Sequence, residues 1–207
     1  MKNIFFVLLL FCIIAHSAPQ NKIEDIDAIT INGDITFGTK AINGWILDKN
    51  AAQGLGTCAI YYPNGETFNG SPVVVYPTTA VPDLQGDKAI ESLVERSKKM
   101  FAPRAPKLKV IKQKDYKSKH DVTFQIYYFM NGPRPNNFEA LAYYPYKNTV
   151  ILLVYSAQTK ENFDKYIKSF NEFMESVIPY STNMNMLSGR CLYPEKNQNV
   201  NKNTGKK

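Results

Sequence analysis

The chain has 207 residues, of which 44% are hydrophobic and 21% charged, and its formal net charge is +7. About 160 residues remain between an apolar start and a polar tail, which excludes two domains of usual size and predicts one domain with one core. The positive charge is concentrated between Arg104 and Lys119 and beyond Arg190, so the basic character is regional.

The first seventeen residues are predicted to be an export signal. Lys2 supplies the charged start, and the apolar run over residues 4–15 is short for a membrane span. Small residues at Ala15 and Ser17 favour cleavage there, so the mature chain begins near Ala18 and has no transmembrane segment. We therefore expect a protein that is exported, and secreted or periplasmic.

The first half of the mature chain is predicted to contain a lead-in, strands and one helix. Residues 18–28 are polar and form a flexible lead-in. Residues 29–37 alternate about Asn32-Gly33, which is a hairpin signal. Strands follow over 57–62 and 72–76, the second stopping at Pro77. Spacing then predicts a helix over 87–101.

The second half is predicted to be a meander that ends in a long helix. The strands cover residues 108–113, 122–130, 138–144 and 149–155. The helix begins at the cap Thr159 and ends before Pro179. Its apolar side is formed by Phe163, Tyr166, Ile167, Phe170, Phe173, Met174 and Val177. Residues 181–207 are predicted to be a polar, mostly disordered tail, held only where Cys191 ties it down.

The element order and several short motifs resemble the PsbP-like fold. These motifs are GWILD at 44–48, GLG at 54–56, YPNG at 62–65, SPVVVY at 71–76 and the strand-helix ending. The resemblance implies an α/β protein of the α+β kind, an α-β-α sandwich whose antiparallel sheet is covered by helices on both faces, over residues 29–180. The fold is shared by a photosystem extrinsic protein, a Ran-binding import factor and exported bacterial proteins of unassigned function, which this chain resembles most. No catalytic motif accompanies it.

Two cysteines, Cys58 and Cys191, remain after processing. Export to an oxidising compartment favours a disulfide between them, and two unpaired buried thiols are the alternative.

The sequence contains no recognisable catalytic or metal-binding motif. His120 beside Asp121 has no nucleophile-elbow pattern to join, and an exposed loop histidine is the other interpretation. His120 and the two cysteines are too few for a zinc site, so we expect no metal or cofactor. Asp48, Glu66 and Glu139 are candidates for a motif-free carboxylate site, and the alternative is that they are ordinary surface acids.

Two surfaces are candidates for binding. Tyrosine doublets lie on three predicted strands, and Tyr61, Tyr127 and Tyr143 could form an aromatic platform, or could fill the core. The second is an anion-binding face, or a charge-protected edge strand. Its residues are Lys109, Lys112, Lys114, Lys117 and Lys119.

These features predict a non-enzymatic interaction module of unassigned role. Its basic face would bind an unknown protein, an anionic lipid or a polysaccharide, and the protein could be an exported bacterial factor that acts on a host component. Export argues against a nucleic-acid partner. The competing class is a small hydrolase with a motif-free carboxylate site.

Overall fold

The computed structural model describes residues 26–33, 35–133, 137–180 and 189–194. The predicted signal over residues 1–17, most of the lead-in and most of the tail lie outside the described residues. Within the described residues, no helix is long and apolar enough to cross a membrane.

The described residues form twelve strands and three α-helices. The helices are α1 (Lys49–Gly54), α2 (Ala89–Phe101) and α3 (Lys160–Ser176). The strands are β1 (Ala28–Asn32), β2 (Ile35–Thr39), β3 (Trp45–Leu47), β4 (Tyr61–Pro63), β5 (Val73–Ala80), β6 (Lys109–Lys112), β7 (Tyr116–Lys117), β8 (Thr123–Met130), β9 (Phe138–Tyr146), β10 (Thr149–Ala157), β11 (Ile178–Tyr180) and β12 (Arg190–Leu192).

The larger sheet is antiparallel and has the strand order β3-β4-β5-β10-β9-β8-β6, with β7 also paired to β8. The predicted meander is confirmed, because β8 pairs with β9 and β9 pairs with β10. The strands β3 and β6 are therefore the two outermost strands of this sheet.

Helices cover both faces of the larger sheet, and the predicted fold class is confirmed. On one face, Phe163, Phe170 and Phe173 of α3 pack with buried residues such as Leu153. On the other face, the apolar side of α2 packs against β8, β9 and β10. Burial of a large apolar side chain contributes about 1.5–3 kcal/mol, so these two layers supply the main driving force for the fold.

The ends of α3 follow the sequence signals. The Thr159 hydroxyl accepts a hydrogen bond from the Asn162 N–H at 3.2 Å, as expected of a helix cap. The helix ends at Ser176, and Val177 already has extended backbone. Pro179 then lies in β11, paired with Phe37 of β2.

A second sheet has the order β11-β2-β1-β12. The predicted hairpin is confirmed and consists of β1 and β2. Asn32 pairs with Ile35 at one end of the ladder, and Ala28 pairs with Thr39 at the other. Strand β12 lies in the predicted tail and pairs with β1. The hairpin therefore joins two short segments from the end of the chain.

Proline did not end β5 where the sequence pattern predicted. The strand continues through Pro77 to Ala80 and pairs with β10 along its whole length. The Pro77 carbonyl accepts a hydrogen bond from the Thr57 hydroxyl. The N and C=O of one strand residue point to the same side, so the position of the missing N–H of Pro77, like its carbonyl, faces away from β10. No hydrogen bond between β5 and β10 is therefore lost.

The predicted strand over 57–62 begins later than expected, at Tyr61. The helix α1 ends at Gly54, before the predicted strand, and residues 57–60 form an irregular segment between α1 and β4. Asp48 caps this helix by accepting a hydrogen bond from the Ala51 N–H at 2.9 Å, and the Thr57 N–H donates to the Ala52 carbonyl at 3.0 Å. These hydrogen bonds hold the backbone in helical and turn conformations up to Thr57.

Candidate functional site

The five predicted lysines lie along one outer edge of the larger sheet. Strand β6 pairs with Tyr127 to Met130 of β8, and β7 pairs with Thr123 and Phe124 of the same strand. The segment 109–119 therefore runs along β8 on the side away from β9. We call this segment the basic edge.

All five lysines of the basic edge are exposed, and they lie along an outer edge of the sheet, as the edge-strand alternative predicted, rather than on one face. Successive side chains of a strand point to opposite faces, so Lys109 and Lys112 lie on opposite faces. The Lys112 ammonium lies 5.9 Å from the centre of the Tyr127 ring. The positive charge of these lysines therefore lies on both sides of the sheet edge.

One of these lysines has a carboxylate partner. The Lys117 ammonium lies 2.6 Å from the Asp121 carboxylate, and this hydrogen bond lowers the pKa of Asp121 and raises that of Lys117. Exposed ion pairs of this kind contribute little to stability. Lys109, Lys112 and Lys114 form no ion pair with any described residue, so their charge is available to a partner.

The backbone of β6 is open toward solvent. The Gln113 N–H donates to the Ile126 carbonyl at 2.8 Å. Hydrogen-bonded and non-bonded pairs alternate in an antiparallel ladder. Lys109 and Ile111 therefore bond to β8, whereas the N–H and C=O groups of Val110 and Lys112 point away from it.

An apolar side chain interrupts the charge of the basic edge. Ile111 is 47% exposed, an unusual position for a large aliphatic residue on an outer strand flanked by lysines. It lies opposite Tyr128, whose ring contacts Phe163 of α3 at a centroid distance of 5.1 Å. The basic edge therefore combines charge, open backbone and an apolar contact.

Glu175 near the end of α3 holds the far end of the basic edge. Its carboxylate accepts hydrogen bonds from the Tyr116 hydroxyl at 2.6 Å and from the Lys119 N–H at 3.0 Å. Burial alone would raise the pKa of Glu175, but these two hydrogen bonds and the nearby charges of Lys119 and His120 together lower it. The same bond to Glu175, with burial, raises the pKa of Tyr116 to about 12.

Glu175 lies outside the predicted apolar side of α3, and no sequence pattern indicated this role. The helical spacing gives the direction of the Glu175 side chain. In the folded protein that side chain contacts the segment from Tyr116 to Lys119 rather than solvent alone. No local signal identifies Tyr116 as the partner, because 59 residues separate the two.

His120 lies in the turn that ends the basic edge and is partly buried. The backbone N–H of His120 donates a hydrogen bond to the Ser118 hydroxyl at 3.3 Å. Burial and then the charge of Lys119 lower the pKa of His120, against the opposing effect of Glu175, and this favours the neutral ring. A neutral ring adds no charge to the basic edge.

The predicted aromatic platform of Tyr61, Tyr127 and Tyr143 is wrong. Tyr61 is 0% exposed and packs against Phe173 of α3, whereas Tyr143 is 1% exposed and packs beneath α2. The two rings therefore lie on opposite faces of the sheet, in the core. Burial raises the pKa of both phenols. Only Tyr127, partly exposed beside Lys112, reaches a surface.

The three candidate carboxylates do not converge on one site. Asp48 caps α1 and also accepts a hydrogen bond from the Tyr62 hydroxyl at 2.6 Å. Glu139 lies on β9, so β4, β5 and β10 separate it from Asp48 beside β3. Glu66 lies exposed in the loop after β4. Asp48 therefore has a structural role.

Two clefts formed by the described residues do not contain these candidates. Clefts of about 500 and 470 Å³ lie beside α2, and neither is lined by Asp48, Glu66, Glu139 or His120. Among the described residues, no group of three His, Cys, Asp or Glu side chains is placed to hold a metal ion.

Cys58 and Cys191 are bonded to each other, so the structure contains the predicted disulfide. Cys191 lies in β12, and Cys58 follows α1. The Tyr193 hydroxyl donates to the Cys58 carbonyl at 3.0 Å, and the Lys49 ammonium lies 4.4 Å from the centre of the Tyr193 ring. The disulfide therefore joins the second sheet to the β3 end of the larger sheet, far from the basic edge.

No family model and no curated protein matches the sequence. The fold is similar to a solution structure of cyanobacterial PsbP from Synechocystis, with 10% identity, a TM-score of 0.44 and coverage of 80% of this chain and 99% of that one. It is also similar to a Pseudomonas aeruginosa protein of unknown function, with 11% identity, a TM-score of 0.40 and coverage of 74% and 99%.

A third similar structure is the Ran-binding protein Mog1p of Saccharomyces cerevisiae, with 10% identity, a TM-score of 0.42 and coverage of 74% of this chain and 94% of that one. Two of the three are the kinds of protein that the sequence resemblance named, and the predicted PsbP-like resemblance is confirmed. Similarity at this level concerns the fold and carries no inference about function.

Proposed function

We propose that this protein is an exported, non-enzymatic binding module that recognises an acidic partner through its basic edge. The observation that supports the proposal most is the grouping of five exposed lysines on one open sheet edge, four of them without an ion pair among the described residues. Grouped charges of one sign steer an oppositely charged partner toward a surface and set its orientation.

The geometry favours binding over hydrolysis. A hydrolase of the predicted kind needs two carboxylates that meet in one cleft, within hydrogen-bond reach of the reacting groups. Asp48 and Glu139 are separated by three strands, and Asp48 is already engaged by Tyr62 and by the backbone of α1.

Export is the second part of the proposal. A disulfide that joins distant segments is typical of proteins that leave a reducing compartment, and Cys58–Cys191 is such a bond. The proposed signal over residues 1–17 is consistent with that destination, where the basic edge would meet acidic surfaces outside the cytoplasm.

The test is binding of the mature protein to anionic liposomes, a heparin-like polymer and neutral glycans, at low salt and at about 0.15 M salt, where the screening length is about 8 Å. The edge variant carries Lys109→Glu, Lys112→Glu, Lys114→Glu and Lys117→Glu. We expect the wild-type protein to bind an anionic probe at the higher salt and the edge variant to lose that binding.

A matched control makes the test specific for position rather than net charge. Four exposed lysines outside the basic edge, on or next to α2 and α3, are changed in the control variant, which carries Lys88→Glu, Lys99→Glu, Lys165→Glu and Lys168→Glu. It has the same net charge as the edge variant, and we expect it to keep most of the binding. Equal losses in the two variants would contradict a role for the basic edge.

A further inference from the structure

We infer that β6 accepts an extended acidic segment of a partner protein as an added strand. The inference rests on the proposed function of the basic edge and specifies how the partner is held. The N–H and C=O groups of Val110 and Lys112 point outward and have no hydrogen-bond partner among the described residues. Such an edge can form main-chain hydrogen bonds with an extended peptide.

Charge decides which peptide can occupy this edge. Lysines on an outer strand disfavour pairing with another basic or neutral strand, including a second copy of the same edge. An acidic strand is attracted to this edge instead, because its carboxylates would lie next to lysines on both faces of the sheet. Lys109 and Lys112 point to opposite faces, so they would contact side chains on both faces of the added strand.

The order of residues in β6 defines a short motif in the partner. Directly opposed side chains in a sheet share a face, so acidic residues belong opposite Lys109 and Lys112. An apolar residue belongs opposite exposed Ile111, and another opposite Val110, which packs partly against the α2 side. The motif is therefore acidic-apolar-apolar-acidic, and it reads the same in both directions.

The test uses a fluorescent peptide with a Glu-Val-Val-Glu core and the full mature protein, with binding followed by fluorescence anisotropy. The key variant is Val110→Pro, which removes an outward N–H, leaves every lysine in place and spares the hydrogen bonds between β6 and β8. We expect the peptide to bind about tenfold more weakly, the effect of one lost main-chain hydrogen bond. Binding of the heparin-like polymer should not change.

A modified peptide repeats the test without altering the protein. Methylating the amide nitrogens that face β6 removes their donors, and we expect a similar loss of affinity, whereas methylating the alternate amides should have a smaller effect. This result stands even where Val110→Pro prevents folding.

The outcomes separate the inference from the proposed function. Absence of peptide binding, or equal binding of the methylated peptides, while the heparin-like polymer still binds, would overturn the added strand and keep the basic edge as an anion-binding surface. Loss of binding to every anionic probe would overturn both. Preference for anionic liposomes over the peptide would also overturn the added strand.

Discussion

Glu175 connects α3 to the basic edge through two hydrogen bonds, and its charge makes that connection depend on pH. The pKa of Glu175 is lowered in the folded protein below its usual value of 4.5. A carboxyl group with a lowered pKa stabilises the fold above its unfolded-state pKa, and this contribution is lost as the pH falls through the folded-state pKa. The contribution of Glu175 to stability is therefore lost only at acidic pH.

We expect Glu175→Gln to lower the free energy of unfolding by about 1–2 kcal/mol at neutral pH, because hydrogen bonds to a charged acceptor become bonds to a neutral one. The measurement is urea unfolding of both proteins over a series of pH values. The difference should shrink as the pH falls below 4.5. Glu172→Gln, on an exposed position of the same helix, is the control and should change little. A difference independent of pH would contradict this assignment.

Single residues also show where sequence reasoning works. The cap Thr159 was predictable because a cap and its helix are neighbours in the chain. The burial of Tyr61 and Tyr143 was not, because a doublet shows that one ring faces each side of a sheet but not that a helix covers both sides. That information lies in the packing of α2 and α3.

At the scale of the element, β12 depends on a covalent bond for its position. It has three residues, and it pairs with β1 at the end of the second sheet. Two-stranded contacts of this length are marginal in water. The disulfide to Cys58 therefore supplies much of the attachment of β12.

We expect reduction to lower the free energy of unfolding by up to about 5 kcal/mol, from the chain-entropy model for the 133-residue separation. The measurement is urea unfolding with and without a reductant, followed by the fluorescence of Trp45, which contacts Phe173 of α3. The control is a double variant, Cys58→Ser with Cys191→Ser, whose stability should not respond to the reductant. Labelling of both thiols in the unreduced secreted protein would contradict the pairing.

Elements whose signals are local followed the sequence, and elements set by distant contacts did not. The hairpin of β1 and β2 has its own turn dipeptide, and α3 has its own cap and apolar side. By contrast, β5 continues through Pro77 because β10 pairs with it beyond the proline. The sequence predicted that Cys191 would hold part of the tail, but not that this part would form the strand β12 on β1. Neither contact is visible in a window of adjacent residues.

For the whole molecule, the helices on both faces leave the outer strands of the larger sheet as the accessible part of its backbone. The central strands β9 and β10 are each paired on both sides. Strand β6 is paired on one side. The sequence predicted the layers and offered an edge strand as one interpretation of the lysines, but it does not show which backbone groups of that strand face solvent.

This arrangement predicts an alternating pattern of amide hydrogen exchange along β6, measured by NMR on the mature protein. The amides of Val110 and Lys112 face solvent and should exchange rapidly, whereas those of Ile111 and Gln113 face β8 and should exchange slowly. The amides of β10 should be among the slowest, since they open only when the sheet unfolds. Strong protection of Val110 and Lys112 would mean that something already covers the outer side of β6, and no added strand could bind there. Rapid exchange at these two positions would leave the edge open to an acidic partner.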